Sequence, residues 1–352
     1  MGMEGDKRET PNFHFAATGI GSVPSLDIQE TCRTILDHFP QIPFWPQFVK
    51  RSHLEDMSIQ FTEGLPLLKI DDERRSLVIS NAERESALVI FYEHFLAEDL
   101  SHFAISRDFA PGLYAIIESV EAMSERFGPF IKGHTVGPLT FAASISGLDG
   151  KSILYDPELL EAMVQGLAIK ALWQVKQLAR TGKRPILFLD EPYLSGFGSA
   201  FSPIQRQEAI NHLKEVINFV RKRSSALLGI HCCGNTDWSM IMEAGPDIVN
   251  FDAYGYMDYF LLYPDELLSF IRDGGSVAWG IVPTIGSNGS DSAEGLSSRL
   301  QEGLNRVQAL GLDPSILAAR SLLTPACGMG TMDQAMALRA LQLLSLISER
   351  MQ

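Results

Sequence analysis

The chain has 352 residues, 45% of them hydrophobic, and a formal net charge of −14 from 29 basic and 43 acidic side chains. This is ample apolar material for one large domain or two ordinary ones, the acidity argues against a nucleic-acid partner, and four cysteines make no disulfide framework. No apolar run approaches the roughly 18 residues of a membrane span, and the opening "MGMEGDKRETPN" has no signal-peptide core, so a soluble, cytoplasmic protein with a disordered tail over 1–12 is expected.

In chain order, "FHFAATGI" (13–20) reads as a first strand and "SLDIQETCRTILDHF" (25–39) as its helix, with Cys32 between Ile28 and Ile35 as a packing residue. The next strand is ambiguous: either "IPFWPQF" (42–48) or "SLVIS" (76–80) supplies it, and the other belongs to an insertion. Six more apolar runs follow: "FIKGHT" (130–135), "PILFLD" (185–190), "ALLGIH" (226–231), "DIVNFD" (247–252), "SVAWGI" (276–281) and "SLLTPA" (321–326). Each is too apolar for a half-exposed strand and suits a parallel sheet covered on both faces. Helices are predicted between them over 157–181, 203–223 and 265–275, and a last one over 332–350. In the first of these Leu160, Met163, Leu167, Ala171, Val175 and Leu178 repeat at three and four residues behind an Asp156 N-cap and Pro157. Eight β/α units predict a single (β/α)8 TIM barrel over 13–352, with a doubly wound sheet as the alternative.

In a barrel the chemistry lies at the C-terminal strand ends. Those ends read "TGIGSVP" (18–24), "GHTVGPLT" (133–140), Asp190-Glu191-Pro192, His231-Cys232-Cys233-Gly234, Asp252 in "NFDAYGY", "GIVPT" (280–284) and Pro325-Ala326-Cys327-Gly328. Alternation in an extended segment puts His231 and Cys233 on one side and Cys232 on the other. Imidazole and thiolate are ligands for Zn2+, and Cys327 at another strand end makes three, leaving an open, catalytic-type position. The adjacent cysteines lack the C-x-x-C spacing of a redox pair. Trp45 and His134 are expected to pack. Glu191 is left between a substrate contact and a backbone partner, and Tyr254 and Tyr256 between a lid and a loop anchor.

"TGIGSVP", "LDEP", "HCCG" and "TPACGMG", in that order, resemble the catalytic barrel of cobalamin-independent methionine synthase, within the superfamily that includes uroporphyrinogen decarboxylase. The resemblance spans about residues 15–345, and "GPLT" and "GIVPT" are similar to the decarboxylase-like branch. It implies zinc held by His231, Cys233 and Cys327, with Asp252 in the place of the family's fourth ligand, a glutamate. It implies that Asp190 binds the amino group of homocysteine and that the Ile20-Gly21-Ser22 turn holds its carboxylate. Three departures matter. The 352 residues leave no room for the family's folate-binding N-terminal barrel. "VPT" (282–284) replaces a segment carrying the family's proton-donating histidine. The glutamate expected after the second strand has no clear match, Arg51 lying near that place. The resemblance therefore implies a thiol methyltransferase that takes its methyl group from a methyl-corrinoid protein rather than methylfolate. Another thiol such as coenzyme M, a decarboxylase-like activity and a non-catalytic accessory barrel for a corrinoid protein are the alternatives. The loop "GSVPSLD" has none of the arginines a porphyrin decarboxylase needs, and Arg51 and Arg107 are isolated.

Overall fold

The computed structural model describes residues 11–197, 204–286 and 289–352. Its strands are β1 (Ala16–Ala17), β2 (Leu68–Asp71), β3 (Ser76–Ile79), β4 (Phe130–Val136), β5 (Ile145–Ser146), β6 (Arg184–Asp190), β7 (Leu227–Cys232), β8 (Ile248–Phe251), β9 (Ser276–Val282) and β10 (Ser321–Pro325). Seven of them form one curled sheet in the order β1-β10-β9-β8-β7-β6-β4, with every neighbouring pair parallel. All residues of β4, β7, β8, β9 and β10 are buried, as strands covered on both faces require.

Helices follow the strands and cover the outside of the sheet. The longest, Pro157–Ala179, starts where expected: Asp156 accepts the Leu159 N–H at 3.2 Å, and Pro157 takes the first turn. The others fall close to their predicted places, at Ile28–His38, Arg206–Arg221, Pro264–Arg272 and Gln334–Met351. The predicted start at 203 lies outside the described residues, and the helix is capped from Gln205 and Glu208. Among the described residues, no helix is long and apolar enough to cross a membrane.

Two apolar cores result. Between sheet and helices lies a large cluster that includes Trp238, Trp279 and Phe251. Inside the curl lies a smaller one, built from Phe13, Ala16, Phe130, Ile186, Phe188 and Leu322 among others. The inner cluster fills the N-terminal half of the curl, so polar side chains of the same strands are left for the C-terminal half.

The sheet has seven regular strands, not the eight expected. His14 and Phe15 take left-handed conformations (φ 43° and 58°), which cut the first strand to two residues. "SLVIS" pairs in a separate small sheet of order β2-β3-β5 and so belongs to the insertion. The segment 43–47 instead makes isolated parallel bridges to both free edges, Phe44 with Lys132 and Ser22 with Gln47. Trp45 donates its N–H to Lys132 at 3.4 Å, whereas Gln47 donates to Gly21 on the other side at 3.0 Å. A regular strand would send both N–H groups the same way. Pro46, which has no N–H, sits at the switch and breaks the ladder.

Behind this junction the Trp45 indole N–H donates to Gln174 Oε1 at 2.9 Å, and the Gln174 amide donates to the His134 carbonyl at 2.9 Å. A Cβ at Gly133 would stand 2.2 Å from Gln174 Oε1 and 2.8 Å from Leu178 Cδ1. Gly133→Ala is expected to destabilise the protein by about 1–3 kcal/mol through overpacking, read as a lower urea midpoint with unchanged slope. An unchanged midpoint would mean that this corner is looser than its contacts imply.

Candidate metal and substrate site

Parallel register aligns Val136, Asp190, His231, Asn250, Ala278, Leu322 and Ala16 across successive strands. Asp190, His231 and Asn250 are therefore side by side near the C-terminal edge. Cys233 follows one residue after β7 and Cys327 two residues after β10. The ligand atoms of His231, Cys233 and Cys327 all lie within 4.8 Å of one another. The three residues predicted from the strand ends thus converge on one point.

The histidine is prepared for this role by its neighbours. Its Nδ1 lies 2.5 Å from Asn250 Oδ1, while the Asn250 amide donates to the Ala278 carbonyl and to Thr324 Oγ1, both at 2.8 Å. With both amide hydrogens committed, Asn250 can offer His231 only an acceptor, so the ring proton is assigned to Nδ1. His231 Nε2 is buried and makes no hydrogen bond. A ring fixed through one nitrogen with the other unpartnered is the arrangement of a metal-ligating histidine.

Electrostatics reinforce the geometry. The hydrogen bond from Cys327 and the proximity of His231 pull the Cys233 thiol pKa well down, and the Cys327 thiol is pushed up by that same bond and by burial. The two thiols therefore titrate as a pair rather than independently. Burial alone lowers the His231 pKa, but the Cys233 sulfur and Asp190 outweigh it and raise it. Negative charge collected at two sulfurs beside an orphaned imidazole nitrogen is suited to a soft or borderline divalent ion.

Asp190 is buried, and its Oδ1 has no hydrogen-bond partner. Burial raises its pKa to about 6, against the opposing pull of His231 and Lys132. An unpartnered carboxylate oxygen beside the cluster suits a cationic or donor group of a ligand. The Ile20-Gly21-Ser22 turn lies at the same end. Among the described residues, the Gly21 and Ser22 N–H groups have no acceptor in the protein. Ser22 is joined to the Cys327 loop: its carbonyl accepts Met329 N–H at 2.9 Å and its Oγ accepts Gly330 N–H at 3.3 Å.

The other singled-out residues take the following places. Asp252 is not in the three-atom cluster; its Oδ1 caps the helix Ala253–Phe260 by accepting the Gly255 N–H at 2.7 Å. Glu191 serves the fold: it is fully buried and accepts from Leu139 N, Thr140 N and Thr140 Oγ1 at 2.9, 2.9 and 2.6 Å. Cys232 is fully buried on the helix side, its thiol pushed up to about 12 by burial, and Cys32 packs likewise. Trp45 stacks on His134 with ring centroids 3.9 Å apart. Tyr254 lies under the Arg299 guanidinium, 4.6 Å from its ring centre, as a loop anchor would. Tyr256 lines an open pocket of about 610 Å3 with Ser195, Phe197, Gly234, Thr236 and Tyr263, beside Cys233. Arg51 pairs with buried Glu55 at 2.6 Å, and Arg107 pairs with Glu118. A larger groove of about 1090 Å3 touches Arg184, Leu227 and Gly275, at the opposite ends of the strands from the cluster.

Sequence reasoning missed Asn250 and Lys132. Each is a lone polar residue inside an otherwise apolar run, "DIVNF" and "FIKGH", and that interruption was the available signal.

No family model matches the chain, and no curated protein sequence does. Solved structures do. A B12-independent methionine synthase from a Shewanella species, in complex with selenomethionine, superposes with a TM-score of 0.60 over 96% of this chain and 97% of its own, at 16% identity. A putative vitamin-B12-independent methionine synthase from Listeria monocytogenes gives 0.53 over 92% and 86%, at 12% identity. The chain has the fold of these methionine synthases.

Asn250→Ala is expected to lower affinity for a divalent ion by roughly 10–100-fold, measured by competition with a chromophoric chelator. Unchanged affinity in a folded variant would remove Asn250 from the site.

Proposed function

We propose that this protein is a zinc-dependent thiol S-methyltransferase that converts homocysteine to methionine with a methyl-corrinoid donor. The observation that carries the reading is the convergence of His231, Cys233 and Cys327 within 4.8 Å, beside the unpartnered oxygen of Asp190. Its support from the comparisons is the shared fold with methionine synthases.

One imidazole and two thiolates are a zinc donor set with a fourth place left for a ligand, and Asp252 stays with its helix cap. An ion bound there supplies a Lewis acid that keeps the substrate sulfur as a thiolate near neutral pH, where a free thiol of pKa about 8.5 is mostly protonated. The chain's own residues do the rest. Asn250 holds the His231 tautomer. Asp190 receives the substrate ammonium, and the Gly21 and Ser22 N–H groups receive its carboxylate. Held through its ammonium and its carboxylate, the substrate would present its sulfur in line with the methyl carbon, which displacement demands.

The donor follows from what stands after β9. Val282, Pro283 and Thr284 offer no group that titrates. Methylfolate needs protonation as its nitrogen leaves, whereas a methylated cobalt leaves as cob(I)alamin without it. In this reading 43–47 is the remaining stave of a (β/α)8 barrel, 13–352 is one domain, and the cytoplasm keeps the thiols reduced.

Protein purified without chelator is expected to hold about one zinc per chain, falling below about 0.2 in Cys233→Ser and Cys327→Ser. With methylcobalamin and homocysteine the wild type is expected to form methionine, and Cys233→Ser at least about 100-fold more slowly; with methylfolate neither turns over. Zinc content unaltered by both substitutions would sink the metal assignment. Absence of methionine from zinc-loaded wild type would sink the acceptor and donor.

A further inference from the structure

Lys132 lies at the middle of β4, fully buried, with its chain pointing into the curl. Its ammonium is 4.5 Å from the Phe188 ring centre and donates a hydrogen bond to the carbonyl of Ile20. Among the described residues it forms no ion pair within 4.0 Å; Asp190 is its charge partner at longer range. Burying an ammonium is costly, and an apolar side chain of equal length would fill the space beside Phe188. What the lysine contributes that methionine would not is the grip on Ile20.

That grip has a geometric consequence. The chain has no cis peptide bonds among the described residues, so the Ile20–Gly21 peptide is trans and its C=O and N–H point in opposite directions. A carbonyl held towards Lys132 turns the Gly21 N–H away from the interior. From the same strand the His134 ring closes under Gly21, where a Cβ would stand 2.5 Å from its Cε1. A cation on the carbonyl also polarises the peptide and strengthens its N–H as a donor.

We infer that Lys132 is a positioning residue for the acceptor: it holds the 20–22 turn so that its free N–H groups take the substrate carboxylate. The inference rests on the homocysteine reading above. It makes the site a matched pair for an amino-acid zwitterion, with Asp190 facing the ammonium and Lys132 behind the turn that faces the carboxylate.

The test compares two ligands on zinc-loaded protein by calorimetry: homocysteine, and 3-aminopropane-1-thiol, which has the same thiol and amine but no carboxylate. Wild type is expected to prefer homocysteine. Lys132→Met is expected to weaken homocysteine about tenfold or more and the aminothiol less than about twofold, with zinc content unchanged. Lys132→Gln, which keeps an N–H donor, is expected to restore part of the preference and serves as the test if the methionine variant does not fold. Equal losses for both ligands, or none, would overturn the role of Lys132. If wild type shows no preference for homocysteine, the acceptor reading itself falls and takes this inference with it.

Discussion

A buried imidazole can reserve one nitrogen for a ligand only if the other is already committed. Here that commitment is the His231–Asn250 hydrogen bond, and Asn250 is in turn fixed by a β9 carbonyl and a β10 hydroxyl. The chain of bonds crosses four adjacent strands, so it exists only while β7, β8, β9 and β10 keep their parallel register. Slipping any one strand by a residue would turn its member of the chain to the helix side. The same register sets Cys233 and Cys327 just beyond their strands, at the same end. The convergence of His231, Cys233 and Cys327 is thus a property of the sheet more than of any loop.

The inside of the curl is divided along its length. Its N-terminal half is an ordinary apolar core of Phe130, Ile186, Phe188, Leu227 and Leu322. Towards the C-terminal half the same strands carry Lys132, Asp190, His231, Asn250 and Thr324, all buried. Several atoms there, including Thr18 Oγ1, both His134 ring nitrogens, Asp190 Oδ1 and His231 Nε2, have no hydrogen-bond partner. Buried polar atoms are normally satisfied, and a cluster that is not is where a fold gives up stability for a ligand. Burial keeps His134 neutral, its pKa held well down, with Lys132 adding to the effect. His231 and Lys132 are therefore the groups that can carry positive charge in this region, both near Asp190.

Much of this was legible in the sequence, for definite reasons. The seven strands could be read because both faces are covered, leaving uninterrupted apolar runs. His231 and Cys233 could be paired, and Cys232 excluded, because alternation along a strand is strict. Cys327 carried no local signal; only a parallel sheet that gathers strand ends could bring it in. Segment 43–47 could not be read as a regular strand, because Pro43 and Pro46 deny it a regular ladder and it makes only two isolated bridges. An aspartate at a strand end is equally the N-cap of the next helix, and Asp252 does cap, so its type and place alone do not separate the two roles. Asn250 and Lys132 were passed over because one polar residue in an apolar run resembles noise until its partners on other strands are known.

The first and last strands of the sheet lie side by side, and this adjacency joins the two halves of the candidate site. The loop after β10 carries Cys327, and the turn after β1 carries the free N–H groups of Gly21 and Ser22. They are not merely close. Met329 and Gly330 both donate to Ser22, and a Cβ at Gly328 would stand 2.2 Å from the Ser22 hydroxyl. A side chain at 328 would displace the Ser22 hydroxyl, which accepts the Gly330 N–H. Lys132 holds the same turn from beneath and Gln47 holds it from the other flank. The turn 20–22 and the Cys327 loop are therefore held at one junction. A displacement of either segment would move the Gly21 and Ser22 N–H groups and the Cys327 sulfur together, so the spacing between them is built into the closure of the sheet.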